Sequence, residues 1–321
     1  MMKRYLLVLT LIFSCVEHKF FFRVSPDGSF QVDYNAHGDR SDLTDFDFTL
    51  PSNLNWTINS TLDDAEAESY DYTAHRIFTR NEDFPATFYN GDSIYFESLL
   101  KHPIEVKHSN WFFRETFTFE AKFVGRKVER KYPMVGQLLQ NMEEQPKGWI
   151  KEALAYLLNE TLIRSDIEWN TQPIITAELK EWLNTELQSV SDSTLLEEID
   201  YYKNLGLDII MQPAPPAIYN DMDSIFKTLE DELQITLALI DASFAFQLIL
   251  PGILESTNAD TLVGDTLFWS FEMEDYMNDD YTMMAFSSIN YPGRQKAGFF
   301  IGFILILFII GVRNRRKRAD K

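Results

Sequence analysis

Apolar positions alternate from the first residues that can fold. In "KFFFRVSPDGSFQVDYN", Phe20, Phe22 and Val24 share one face at a two-residue period, and Phe30, Val32 and Tyr34 match them beyond a turn. The turn is "SPDG": Pro26 suits its second position and Gly28 a left-handed conformation. Strand-like runs follow in "DFDFTL", "SYDYTAHRIFTR" and "SIYFESLL". The clearest is "WFFRETFTFEAKFVG". There Trp111, Phe113, Phe117, Phe119, Ala121 and Phe123 fall on one side, and Phe112, Arg114, Thr116, Thr118, Glu120 and Lys122 on the other. One face buried and one wet predicts antiparallel sheet.

After Gly125 the period lengthens. Trp149, Ile150, Ala153, Leu154, Leu157, Leu158 and Leu162 form a helical stripe, as do Leu179, Trp182, Leu183, Leu187 and Val190. Thr176 is a candidate N-cap, Thr194 and Glu197 have capping-box spacing, and Gly206 is placed to close a helix. Beyond the proline-rich "MQPAPPAIYN", Asn220 precedes a stripe of Met222, Ile225, Phe226, Leu229, Leu233, Leu237 and Ile240. Alternation resumes at Phe244, Phe246, Leu248 and Leu250 and again at Leu267, Trp269 and Phe271, with "TMMAFSSI" as a last strand. The predicted fold class is α+β. Strands from an N-terminal region (15–130) and a C-terminal region (241–291) form one antiparallel β domain, with a helical block (131–240) inserted between them. The expectation is that this block covers the one-sided aromatic sheet.

The two ends predict how the chain is placed. Lys3 and Arg4 precede an apolar run from Tyr5 to Phe13, the order of a secretory signal over residues 1–14. "IFSC" then resembles the bacterial lipobox, which makes Cys15, the single cysteine of 321 residues, the candidate lipidation site. An ordinary signal with a cysteine at its edge is the other reading. Near the C-terminus, "AGFFIGFILILFIIGV" (297–312) is uncharged and, as a helix, roughly 24 Å long. Lys296 and Arg313 can snorkel to span a hydrocarbon core of about 30 Å. The basic tail 313–321 is expected in the cytoplasm. The reading is a bacterial inner-membrane protein, its body periplasmic or extracytoplasmic, held at the membrane by a lipid and by one transmembrane helix.

Charge narrows the partners. Lys and Arg number 29 against 49 Asp and Glu, a net charge of −20, and eight of the bases lie at the two ends. The body between is therefore more acidic still, which argues against nucleic acid. With 45% apolar and 14% aromatic residues it can bury a core without disulfides.

Candidate chemistry is sparse. The five histidines (His18, His37, His75, His102, His108) show no metal-ligand spacing, and no GxSxG, P-loop or GxGxxG occurs. No catalytic, cofactor or metal residue is assigned, and the chain is expected not to be an enzyme. "EMEDYMNDD" (272–280) and Asp42, Asp45 and Asp47 lack the spacing of a calcium loop and are expected to be solvated. The Asp-Ser/Thr tripeptides at Asp92, Asp192, Asp223, Asp260 and Asp265 resemble an O-glycosylation acceptor pattern of Bacteroidetes envelope proteins. Caps and turns explain the same pairs.

The order of parts also resembles the LppM-type family of bacterial envelope lipoproteins. The resemblance rests on Pro26-Asp27-Gly28-Ser29, Pro251-Gly252, Asn258-Ala259-Asp260, Gly264, Trp269 and Phe271, ahead of a single terminal helix. It spans about 60 residues at the two ends of the body and leaves out the helical block. It implies fold and anchoring, with β regions that pair into one domain and a possible apolar groove for lipid. The functional expectation is a membrane-anchored, non-enzymatic interaction or assembly protein with an unidentified envelope protein as partner. The alternative is a lipid- or lipoconjugate-binding module.

Overall fold

The computed structural model describes residues 16–39, 43, 50–51, 55–64, 69–80, 82–84, 103–140, 146–213 and 219–319. The expected strand "SIYFESLL", all of "DFDFTL" but Leu50, the signal segment 1–14, Cys15 and His102 lie outside these residues.

The fold is α+β, with two facing sheets and a helical segment between two halves of one of them. Sheet one contains β1 (Glu17–Val24), β2 (Phe30–Asp39), β3 (Thr57–Asp64), β4 (Ser69–Phe78), β7 (Ser243–Ile249), β9 (Thr261–Val263) and β10 (Thr266–Glu272), in the order β3-β4-β2-β1-β7-β10-β9. Sheet two contains β5 (Ile104–Trp111), β6 (Arg114–Phe123), β8 (Ile253–Thr257) and β11 (Tyr281–Asn290), in the order β5-β6-β11-β8. Every pairing is antiparallel except β1 with β7. A parallel neighbour needs a long return path, and here sheet two's first strands and the helices supply it.

Register turns the alternating sequence into rows of rings. Tyr34, Phe20, Phe246 and Trp269 stand opposite one another across four strands, as do Val32, Phe22, Leu248 and Leu267, and Ala36, His18, Phe244 and Phe271. All of these side chains are buried. From sheet two, Phe119 reaches Phe22 (centroids 5.2 Å apart) and Trp269 (6.0 Å), and Phe123 reaches Phe244 (5.0 Å) and Phe271 (4.8 Å). The aromatic face of β6 is thus covered by the other sheet. The expected cover by the helical block is corrected: the rings of β6 interdigitate with those of sheet one, while the helices pack mainly on one another.

The helices are α1 (Val128–Lys131), α2 (Pro133–Gln140), α3 (Trp149–Arg164), α4 (Gln172–Thr185), α5 (Asp192–Glu197), α6 (Ile199–Met211), α7 (Tyr219–Ala238), α8 (Met273–Tyr276) and α9 (Pro292–Ala319). From α1 to α7 they pack mainly on one another, chiefly α3 on α7, and bury Leu154, Leu158, Leu162, Phe226 and Leu229. Several local expectations shift. Thr176 lies inside α4, where its hydroxyl donates to Gln172 O (2.8 Å). The N-cap of α5 is Ser191, which accepts from Thr194 N (3.2 Å). Gly206 is interior to α6, because a Cβ there would stand 2.4 Å from Leu158 Cδ1. Asn220 is already within the first turn of α7.

One strand is also corrected. The run Trp111–Phe123 breaks into a hairpin whose turn is Phe112–Phe113, and the buried side of β6 begins with Glu115. Trp111 and Phe113 are therefore exposed at a tip rather than packed in the core.

Phe119 touches both sheets with no exposure. Phe119→Ala is expected to lower unfolding free energy by about 3–5 kcal/mol, measured by denaturant titration of the full chain in mild detergent.

Candidate functional site

Two ends of the sandwich are distinct. At one, β6, β7 and β10 meet the helices. At the other, the turns Ser25–Ser29 and Leu250–Ile253, the hairpin tip Phe112–Phe113 and the root of α9 come together; we term it the rim. Asn290, the last residue of β11, pairs with Arg114, and Ser288 pairs with Ile253.

The rim is tied by a buried carboxylate. Glu115 Oε1 accepts from Asn110 Nδ2 (3.0 Å) and from the Tyr291 hydroxyl (3.1 Å), and Oε2 lies 3.3 Å from His108 Nε2. Tyr291 N donates to Phe113 O (2.9 Å), so backbone and side chain of one residue fasten the hairpin to the start of α9. The bond to Glu115 raises the Tyr291 phenol above its ordinary pKa. The His108 ring stacks on Phe117 (4.6 Å, 2° between planes), and Gly28, at φ +88°, lies over it. A Cβ on Gly28 would stand 2.4 Å from His108 Nδ1, so the "PDGS" turn needs glycine for close approach as well as for backbone angle. Asp27 Oδ1 accepts from Ser29 Oγ (2.7 Å) and Ser29 N (3.0 Å), and these bonds hold its carboxyl below the usual range. Nearby, Arg114 Nη2 reaches both oxygens of Glu255 (2.5 and 2.6 Å).

The corner "NAD" is also structural. Asn258 Oδ1 accepts from Trp269 Nε1 (3.1 Å) and Met284 N (2.7 Å), and its Nδ2 donates to Thr282 O (2.7 Å). One amide thus joins β10 of sheet one to β11 of sheet two where the chain crosses between them.

The acidic stretch 272–280 is not a free loop. Glu272 and Asp275 form a capping box for α8. Asp280 Oδ1 accepts from Gly125 N (2.8 Å), and its Oδ2 pairs with Lys122 Nζ (2.5 Å). Asn278 Oδ1 accepts from Glu129 N (2.9 Å), and Tyr276 O and Met277 O accept from Arg126 N and Val128 N. The Arg126 side chain then donates to Thr236 Oγ1 (2.8 Å from Nη2) and Glu232 O (2.9 Å) of α7. The five carboxylates of this stretch are exposed, as expected, and Asp280 together with the backbone and amide of 276–278 also clamps the point where sheet passes into helix.

A concavity of about 420 Å³ lies on the outer face of sheet one, lined in part by Lys19, Phe21, Asp33, Thr57, His75 and Gln247. His75 Nδ1 is 2.6 Å from Asp33 Oδ1, whose Oδ2 accepts from Gln31 (2.7 Å). The other described histidines are partnered too: His37 with Asp71 (2.9 Å), and His18 with the Tyr34 hydroxyl (2.7 Å). Among the described residues no group of three or more His, Cys, Asp or Glu side chains could hold a metal ion. Of the acceptor-like tripeptides, Asp192 accepts from Gly148 N (2.6 Å), Asp260 accepts from Ser270 N (2.8 Å), Asp223 lies in α7 and Asp265 in the β9–β10 turn; Asp92 is outside the described residues.

Helix α9 is long and apolar enough to cross a membrane over Pro292–Ile310, and none of that window is buried by the rest of the chain. What the fold and the rim define is an α+β body with one apolar terminal helix. No family model matches this chain, and no curated protein matches it. Among solved structures, the NMR structure of the folded domain of the Mycobacterium tuberculosis LppM protein aligns with 87% of this chain and 93% of that chain, at 10% identity and a TM-score of 0.32. This is a weak likeness.

Lys122, and then Gly125 N, hold the Asp280 carboxyl below its ordinary 3.8. A lowered folded-state pKa contributes stability that is present above the unfolded value and lost as pH falls through the folded one. Asp280→Asn is expected to lower the melting temperature near neutral pH, with the difference from wild type closing only below the unfolded value; thermal scans across pH check this.

Proposed function

We propose that this chain is a non-enzymatic membrane-tethered adaptor: α9 holds it in a bacterial inner membrane, the sandwich stands outside the cytoplasm, and the helical block meets an envelope protein. The observation that carries this reading is the placement of the α9 root and the helical block at opposite ends of one rigid sandwich. A strand of seven residues, such as β7 (Ser243–Ile249), is about 20 Å long, so the helices are carried that far from the rim. Exposed apolar side chains cluster where α3 passes to α4: Ile163, Trp169 (83% exposed) and Ile174. Large apolar groups left in water on a soluble surface favour a protein partner. A lipid groove has less support, because rings fill the space between the sheets.

The lipid anchor enters this reading differently from the helix. Val16 is buried, and its carbonyl accepts from Ser243 N (2.9 Å) at the helix-bearing end. The chain therefore enters β1 about 20 Å from the rim. Retention is assigned to α9.

Two outcomes follow. Truncation after Tyr291 releases the body from sedimented membranes, whereas Cys15→Ser leaves the chain with them; release by Cys15→Ser alone contradicts the assignment. A photo-crosslinking residue at Trp169 in intact cells gives a discrete heavier adduct, and one at Gln247 gives none. Absence of an adduct at Trp169 would falsify the adaptor reading.

A further inference from the structure

The β5–β6 hairpin turns on Phe112–Phe113, directly after Trp111. Tight hairpin turns favour Gly, Asn and Asp because of the backbone angles they need. Nothing in the turn requires three consecutive aromatic residues, yet Trp111 is 73% exposed and Phe112 58%. Phe113 is the most covered of the three, at 39% exposure, and it meets both the Phe112 ring and α9. A Cβ on Gly298 would stand 2.5 Å from Phe113 Cε1 and Cζ, so the ring lies against bare helix backbone. Gly298 is two residues beyond Lys296, the last charge before the uncharged stretch, and about 9 Å along α9 from Pro292. The tip therefore reaches alongside α9 past Lys296, into the start of the uncharged stretch, held there by Tyr291 through Phe113 O and Glu115.

The geometry points to a second membrane contact: the Trp111-Phe112-Phe113 tip inserts into the interfacial layer of the leaflet that α9 enters. This rests on α9 spanning that membrane. The occupant is lipid because the tip is continuous with the helix surface that lipid would surround. The residues beside it are those that sit at headgroup level: Arg294 stacks 4.0 Å above the Tyr291 ring, and Lys296 follows. These cations face an anionic leaflet while the body is acidic. Exposed Ile253, level with Ser288 at the edge of sheet two, extends the same apolar rim.

The test uses the full chain in phosphatidylcholine–phosphatidylglycerol vesicles that contain acyl-brominated lipid, with quenching of tryptophan emission as the signal. The chain has six tryptophans, so wild type is compared with Trp111→Phe and Trp169→Phe. Trp111→Phe is expected to reduce the quenched emission about twofold, and Trp169→Phe to leave it unchanged. Phe112→Asp, a change at an exposed position, is expected to lower quenching without altering the circular dichroism spectrum. Equal quenching in wild type, Trp111→Phe and Phe112→Asp, with all three floating with the vesicles, overturns the tip insertion and leaves the α9 anchor standing. Failure of wild type to float overturns both. Trp111 emission that a water-soluble quencher reaches and brominated lipid does not, in vesicles that the chain floats with, overturns the lipid contact of the tip and leaves the α9 anchor standing.

Discussion

Ring packing between the two sheets is the interaction on which the rest depends. Phe22, Phe119, Phe123, Phe244, Phe246, Trp269 and Phe271 form one layer of touching rings with almost no exposed surface. Burial of each large apolar side chain is worth about 1.5–3 kcal/mol, and ring pairs add to this when they meet edge-on or offset. No disulfide is available to a chain with one cysteine, so this layer holds together the two segments on either side of the helical block. The parallel β1–β7 pair exists because both strands place their rings in the same layer. A one-residue slip of either would turn its Phe residues to solvent.

A sandwich fixed in this way has two ends that cannot exchange. Strands run straight from one to the other, so whatever is attached at an end is held at a known distance from what is attached at the opposite one. The rim carries the α9 root, the "PDGS" turn and the aromatic tip; the other end carries the helical block and the entry to β1. The Glu115 network makes the joint at the rim short and stiff, with only Tyr291 between β11 and α9. No hinge of several residues separates α9 from the body.

Much of this was legible in the sequence. The two-residue alternation found β1, β2, β6, β7 and β10, and the 3.6-residue stripes found α3 and α7, because burial on one face is what those periods encode. The break at Phe112–Phe113 was missed since a continuous aromatic alternation looks the same whether or not the chain reverses within it. The partner of the aromatic face was missed for a related reason: alternation says that a face is covered and not by what. β3 is polar on most of its length ("TINSTLDD") and left no apolar period to read. Carboxylate roles were the least legible. Asp280 and Glu115 act through backbone and side-chain donors far off in sequence, at Gly125 and Tyr291, and no local spacing announces such partners.

The resemblance motifs sort by the same logic. "PDGS" and "PG" lie at the rim, "NAD" ties the two sheets, Gly264 takes a left-handed turn conformation at φ +65°, and Trp269 and Phe271 belong to the ring layer, so these motifs have structural reasons within this fold. None of them touches the cavity on the outer face of sheet one or the exposed corner at Trp169. The helical block and its apolar corner thus lie where those motifs do not reach. An acidic body repelled by an anionic leaflet would stand off from the surface, and the seat at the rim is where apolar rings and two cations offset that repulsion. On the proposed membrane placement, orientation follows from this imbalance: the end that the membrane attracts is the one beside α9, and the helical block is turned away from the bilayer.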